Sequence, residues 1–332
     1  MPVSDPSSDP FRSAVTFEAL RRRASAAYLG LAVGDALGAT VEFMTPREIK
    51  DVYGVHRDIL GGGWLRLRKG RVTDDTEMSL ALGNAILGAG GVEAGAVAEA
   101  FSEWMRTKPV DIGHTVRRGI SLYRRTGQTE APESEHDAGN GACMRALPIA
   151  LYTLGAGPDA VDRANRIQAH VTHHNPLSDL GTLSAIRMVQ AAILGGSRDE
   201  LRALVDAVGA QEPRYRFDRK RVENPSGYIV DTLRAVFQAL FATDSFESAL
   251  IDVVNRGGDA DTTGAILGMI AGALYGPDAI PKRWLAVLDK ETARLCQQQA
   301  AQLLRASPIA IWVDTEARGR VVAPVGLCQP AG

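Results

Sequence analysis

This sequence predicts an all-α fold, a single compact helical domain, on three observations. From Phe17 onward Ala, Leu and Gly dominate. Apolar residues recur at helical spacing, and few stretches alternate in the manner of strands. Gly/Pro-rich breaks such as Gly61-Gly62-Gly63 and Gly155-Ala156-Gly157-Pro158 separate the periodic segments. No fixed-period repeat suggests a solenoid, and 332 residues suffice for a substantial buried core.

Taken along the chain, residues 1–14 are polar and proline-rich (MPVSDPSSDP) and read as a flexible leader without the apolar core of a signal peptide. The domain proper is expected over 15–306. Helices are predicted near 17–42, 76–90, 92–105, 113–126, 140–154, 158–171, 178–194, 197–208, 228–241, 245–254, 262–275 and 284–305. In the second of these, Met78, Leu82, Ala85 and Ile86 fall on one face. Residues 211–226 form a polar loop carrying Arg214, Arg216, Arg219, Lys220 and Arg221. Such a run is either a solvated face or a contact for a partner protein or phosphate group. In the tail, 307–332, the alternation of Ile309, Ile311 and Val313 predicts a short strand or hairpin.

Bulk properties narrow the function. Lys and Arg total 37 against 39 Asp and Glu, a formal net charge of −2, which gives no general reason to bind nucleic acid. The longest apolar run, Gly264 to Tyr275, is far short of the ~20 residues of a transmembrane segment, so a cytoplasmic location is expected. Cys143, Cys296 and Cys328 are odd in number and widely spaced, which draws neither a disulfide framework nor a CxxC site.

The chemistry lies in two acidic clusters, each at a helix start. Thr73-Asp74-Asp75-Thr76-Glu77 precedes the Met78 helix. Asp259-Ala260-Asp261-Thr262-Thr263 opens GAILGMIAGALY, which is apolar on all sides and therefore expected to be buried. Capping and the helix dipole explain one acid at each start. Two acids beside an apolar face are costly to bury unpaired, and a bound cation would offset the remaining charge. Carboxylates and hydroxyls without thiolate suit Mg²⁺ or Mn²⁺ and fit zinc poorly. His170, His173 and His174 show no HExxH pattern that would argue otherwise.

The segments GLAVGDALGATVEF (30–43), TDDTEMSLAL (73–82), GNGACMRALPIAL (139–151) and NRGGDADTTGAILGMIAGALYG (255–276), in this order, resemble the ADP-ribosylglycohydrolases over about residues 22–290. Through GATVEFMT and GGGWLRL the likeness is greatest to the members that reactivate dinitrogenase reductase. The resemblance implies an all-α fold with two Mn²⁺ or Mg²⁺ ions in a central cleft, held by Thr73, Asp74, Asp75, Asp259, Asp261 and Thr262. It implies catalytic roles for Asp111 and Glu42, and a substrate side that includes Asn140, Gly141, His174 and Tyr228. Several of these have plainer readings: Asp111 as an N-cap of a helix from Ile112, Asn140-Gly141 as a turn, Tyr228 as core. Gly30, Gly34 and Gly38 recur every four residues, a pattern of close helix packing that leaves Asp35 as a structural acid. The implied reaction is release of ADP-ribose from a protein arginine, the substrate being ADP-ribosylated dinitrogenase reductase, with room for a regulatory protein partner. Alternatives are hydrolysis of serine-linked or O-acyl ADP-ribose, and a non-catalytic, crystallin-like structural protein. The intact acids favour catalysis.

Overall fold

The computed structural model describes residues 16–317, so the predicted leader and most of the predicted tail lie outside the described residues. The helices are α1 (Phe17–Gly38), α2 (Pro46–Tyr53), α3 (Asp74–Ala89), α4 (Ala94–Arg106), α5 (His114–Thr126), α6 (Gly141–Met144), α7 (Leu147–Tyr152) and α8 (Pro158–His170). The chain continues through α9 (Pro176–Ile193), α10 (Arg198–Gln211), α11 (Ile229–Ala242), α12 (Phe246–Val254), α13 (Ala260–Tyr275), α14 (Lys282–Val287), α15 (Lys290–Ala306) and α16 (Pro308–Ala317). Among the described residues no strand forms; two isolated bridges, Gly62 to Leu67 and Gly139 to Tyr228, are the β pairing present. No described helix is long and apolar enough to cross a membrane.

The centre of the molecule is the antiparallel pair α1 and α13. Every residue from Ala260 to Ala273 is buried, as the all-round apolar sequence predicts. The two backbones touch. A β-carbon on Gly30 would lie 2.1 Å from the carbonyl oxygen of Gly268, one on Gly34 2.0 Å from that of Gly264, and one on Gly38 2.1 Å from that of Ala260. The spacing of four places all three glycines on one stripe of α1, and only glycine permits this approach. The remaining helices pack around this seam, and Cys143 and Cys296 sit in the core as buried free thiols.

Several predicted elements change on folding. The helix predicted over 140–154 is two, α6 and α7, because Pro148 enters the first turn of a new helix and cannot continue an old one. The stretch 284–305 divides where Asp289 caps α15 through Thr292 N. Helix α2 was not predicted; its start is a capping box between Thr45 and Glu48 followed by Pro46. The predicted strand or hairpin of the tail is, up to residue 317, the helix α16. Ile309 and Val313, four residues apart, turn inward while Ile311 is 73% exposed. That is one face of a helix, and a strand would have put all three on the same side.

Gly34→Ala is expected to destabilise the protein by about 1–3 kcal/mol or more through overpacking, read as a lowered melting temperature. Gly88→Ala, whose added methyl meets nothing within 4 Å, is expected to gain roughly 0.5 kcal/mol.

Candidate metal centre and cleft

The antiparallel seam brings the C-terminal end of α1 against the N-terminal end of α13, and α3 starts beside both. Asp35, fully buried in the last turn of α1, accepts hydrogen bonds from Thr73 N (2.9 Å), Thr73 Oγ1 (3.0 Å), Thr76 N (3.1 Å) and Thr76 Oγ1 (2.5 Å). It therefore anchors the start of α3, and burial pushes its carboxyl up to about 6 against those four bonds. Helical geometry does extend back to Asp74.

The acids at these helix starts are not spent on capping. Thr73 is the N-cap of α3 and Asp259 of α13, yet neither side chain makes a capping hydrogen bond. Thr73 Oγ1 lies 3.3 Å from both Asp75 Oδ2 and Asp261 Oδ2, and Thr262 Oγ1 donates to Asp75 Oδ2 at 3.3 Å. Residues 73–75 and 259–262, some 190 positions apart in the chain, meet at one place.

A cleft of about 420 Å³ opens above them. Asp74, Asp259, Asp261 and Thr262 line it together with Glu42 and Asp111. Carboxylate oxygens of Glu42, Asp111 and Asp261 lie within 4.8 Å of one another. Asp111 accepts from Ile112 N at 2.8 Å, but α5 starts at His114 with Gly113 as N-cap, so Asp111 is not the predicted cap. Asn140 donates to Asp259 Oδ2 (2.6 Å) and Thr232 Oγ1 (2.9 Å), and Gly141 lines the cleft beside it.

Glu42 is placed by a strap. Phe43 N donates to Gly258 O (2.7 Å), and Gly258 N donates to Met44 O (2.9 Å). Gly257 and Gly258 have φ of 69° and 64°, and a β-carbon on either would lie 2.1 Å from the backbone oxygen of Met44 or Pro225. Phe43 itself holds φ at 62°, a left-handed conformation that costs a non-glycine residue roughly 1 kcal/mol.

Two predicted substrate-side residues are elsewhere. His174 stacks on His170 at 3.8 Å and bonds Ala131 O through Nδ1 at 2.7 Å, away from the cleft lining. Of His170, His173 and His174, His173 is the one that lines the cleft, where His114 at the start of α5 also contributes. Burial drives the His173 imidazole down to about 3, so it is neutral, and its Nδ1 is 2.8 Å from Thr172 Oγ1. A β-carbon on Gly141 would lie 2.7 Å from His173 Cε1, so glycine at 141 makes space for the ring. Tyr228 follows Gly227 and is bridged to Gly139, both of which line the cleft, but is not itself part of that lining. Trp64, in the GGGWLRL stretch, forms part of the cleft wall and donates to Glu42.

The residues present fit a hard divalent cation. Asp75 Oδ1 is buried with no hydrogen-bond partner, an arrangement that demands a compensating charge or proton. Burial raises the carboxyls of Asp74, Asp75 and Asp261 well above the ordinary range, with neighbouring acids adding to it. Burial also takes Glu42 to about 8 and raises Asp111. The buried Arg145 does not neutralise them: its guanidinium is committed to Gln168 and Thr172, and burial lowers it to about 9.

A helical scaffold that gathers carboxylates from remote segments on the floor of one cleft defines an α-helical hydrolase with a cation-competent centre. The chain belongs to the ADP-ribosylglycohydrolase family, whose sequence profile matches residues 16–311. It is 49% identical over 290 residues to the ADP-ribosyl-[dinitrogen reductase] glycohydrolase of Rhodospirillum rubrum, covering 87% of this chain and 98% of that one. It is 34% identical over 280 residues to the ADP-ribosylarginine hydrolase Tri1 of Serratia proteamaculans, covering 79% and 74%. A solved structure described as an ADP-ribosylglycohydrolase-related protein complex aligns with a TM-score of 0.78 at 34% identity, over 87% of this chain and 99% of that one.

Carboxyls whose folded pKa exceeds the unfolded value of ~4 favour folding most below that value. Their contribution is lost as pH rises through the folded values, here about 6 for Asp35 and about 8 for Glu42. Chelator-treated protein is therefore expected to melt at a lower temperature at pH 8 than at pH 5, and Mn²⁺ to narrow or reverse that difference. Paired thermal melts read both.

Proposed function

We propose that this protein hydrolyses the N-glycosidic bond between ADP-ribose and a protein arginine, and that its substrate is ADP-ribosylated dinitrogenase reductase. The observation that carries the reading is the convergence of Asp74 and Asp75 with Asp259 and Asp261, with one carboxylate oxygen left unpartnered. The named activity of the Serratia relative supports the arginine linkage, and that of the Rhodospirillum relative supports dinitrogenase reductase as the substrate. A cytoplasmic location and control by a regulatory protein partner fit the same reading.

Thr73, Asp74, Asp75, Asp259, Asp261 and Thr262 are the residues that would hold two Mn²⁺ or Mg²⁺ ions. Bound there, the ions would supply Lewis-acid activation of water. The protein's own groups do the rest. Asn140 fixes the orientation of Asp259 through their 2.6 Å hydrogen bond. The guanidinium departs as neutral guanidine, and a proton must reach its nitrogen to restore the cationic arginine side chain. Glu42 or Asp111, both raised by burial, carries that proton. His173, held neutral, adds no positive charge beside the developing oxocarbenium centre.

Asp261→Ala is expected to keep the helical circular-dichroism spectrum and to lower ADP-ribose release beyond the roughly 10–100-fold loss typical of removing an outer partner of a metal site. Release is measured from arginine-ADP-ribosylated dinitrogenase reductase with Mn²⁺. Chelator is expected to abolish it and added Mn²⁺ to restore it. Full activity in chelator, or faster release from a serine-linked peptide than from an arginine-linked one, refutes the reading.

A further inference from the structure

Trp64 stands at the mouth of the cleft with its side chain half in water. It is 52% exposed and Phe43 is 63% exposed, their ring centroids 5.3 Å apart. Large aromatic rings left in solvent at a cleft rim are not there for core packing. The backbone is shaped to present this one. Gly61, Gly62 and Gly63 all have positive φ, and the turn is closed by reciprocal 2.8 Å bonds between Gly62 and Leu67. A β-carbon on Gly63 would lie 2.5 Å from Ala39 O, so the turn presses against the exit of α1, three residues before Glu42. From there Trp64 Nε1–H donates to Glu42 Oε2 at 2.7 Å, the one hydrogen bond to that carboxyl among the described residues. Glu42 is 4% exposed, and the carboxylates of Asp111 and Asp261 that lie nearest it offer no donor while ionised.

We infer that Trp64 is a positioning residue: its indole N–H occupies Oε2 of Glu42 and leaves Oε1 as the oxygen that delivers the proton to the leaving guanidine. The inference rests on the hydrolysis proposed above and selects Glu42 over Asp111 for that step. As the C1–N bond breaks, the proton passes from Oε1 to the guanidine nitrogen. Water supplies the hydroxyl taken up by C1, and its remaining proton returns to Glu42, so the carboxyl ends as it began. Because an indole N–H is a donor only, it cannot compete for that proton. It also fixes the plane of the buried carboxyl.

The test is a double-mutant cycle on the Mn²⁺-loaded enzyme, with Trp64→Phe, Glu42→Gln and the two combined, measuring kcat and KM for release from ADP-ribosylarginine. Phenylalanine keeps an aromatic ring and removes the donor. Trp64→Phe is expected to lower kcat roughly tenfold with KM changed less than about twofold, as loss of one hydrogen bond to an ionisable group predicts. It is expected to melt at the wild-type temperature. In the Glu42→Gln background the same change is expected to cost nothing further, because Trp64 acts through the carboxyl. Equal losses in both backgrounds, a kcat for Trp64→Phe within about twofold of wild type, or a lowered melting temperature that accounts for the loss would each overturn the inference alone. A wild-type enzyme that releases no ADP-ribose overturns the parent reading and this one with it.

Discussion

The contact between α1 and α13 is the constraint on which everything else rests. With Gly30 against Gly268, Gly34 against Gly264 and Gly38 against Ala260, the two helix axes are held at backbone contact distance. The pair is antiparallel, so the acids at the end of one helix necessarily meet the acids at the beginning of the other. Asp35 then ties α3 to the same junction through both the backbone and the hydroxyls of Thr73 and Thr76. The starts of α3 and α13 also present the positive ends of their dipoles to the cluster, which lessens the cost of gathering carboxylates in so dry a place. Packing comes first, and the chemistry is assembled from what the packing brings together.

Charge in this molecule is organised for imbalance at one spot. Elsewhere several acids are paired with arginine: Asp252 with Arg256, Glu77 with Arg71, Asp137 with Arg118. The basic run of 211–226 follows the same habit, with Arg214 on Glu212 and Arg221 on Glu223 and Asp252, which fits a solvated face. In the cleft no such pairing occurs among the described residues, and the burial cost falls on protonation or on a bound cation. A site of this kind is stable in two forms, protonated or metal-loaded, and unstable in the form with bare carboxylates.

The fold was legible because helical periodicity and Gly/Pro breaks are local signals. The apolar-all-round segment from Gly264 reads directly as a buried helix, and the glycine stripe of α1 reads as close packing, though not which helix it meets. The tail misled because alternation over only three residues, Ile309, Ile311 and Val313, is compatible with either period; the burial of Ile309 and Val313 alone decides it. Within the site, the ligand candidates were legible as doubled acids that capping could not absorb. His173 and Trp64 were not. Three histidines within five residues give no sign of which faces the cleft, since that depends on the turn between α8 and α9. Trp64 reaches Glu42 only because a triple-glycine turn folds back onto the end of α1, a tertiary fact with no local period.

The strap at Gly257 and Gly258 has a consequence for reading other sequences of this kind. Neither glycine carries any chemistry, yet both are pinned by positive φ and by the backbones of Met44 and Pro225, and Gly258 is bonded to the turn that carries Glu42. A side chain at either position would pry that turn loose while leaving every acid in the chain. An inventory of carboxylates therefore cannot certify a working relative. The silent pair of glycines beside them is the more searching criterion, and a lineage that has given up turnover can be expected to show its first wear there.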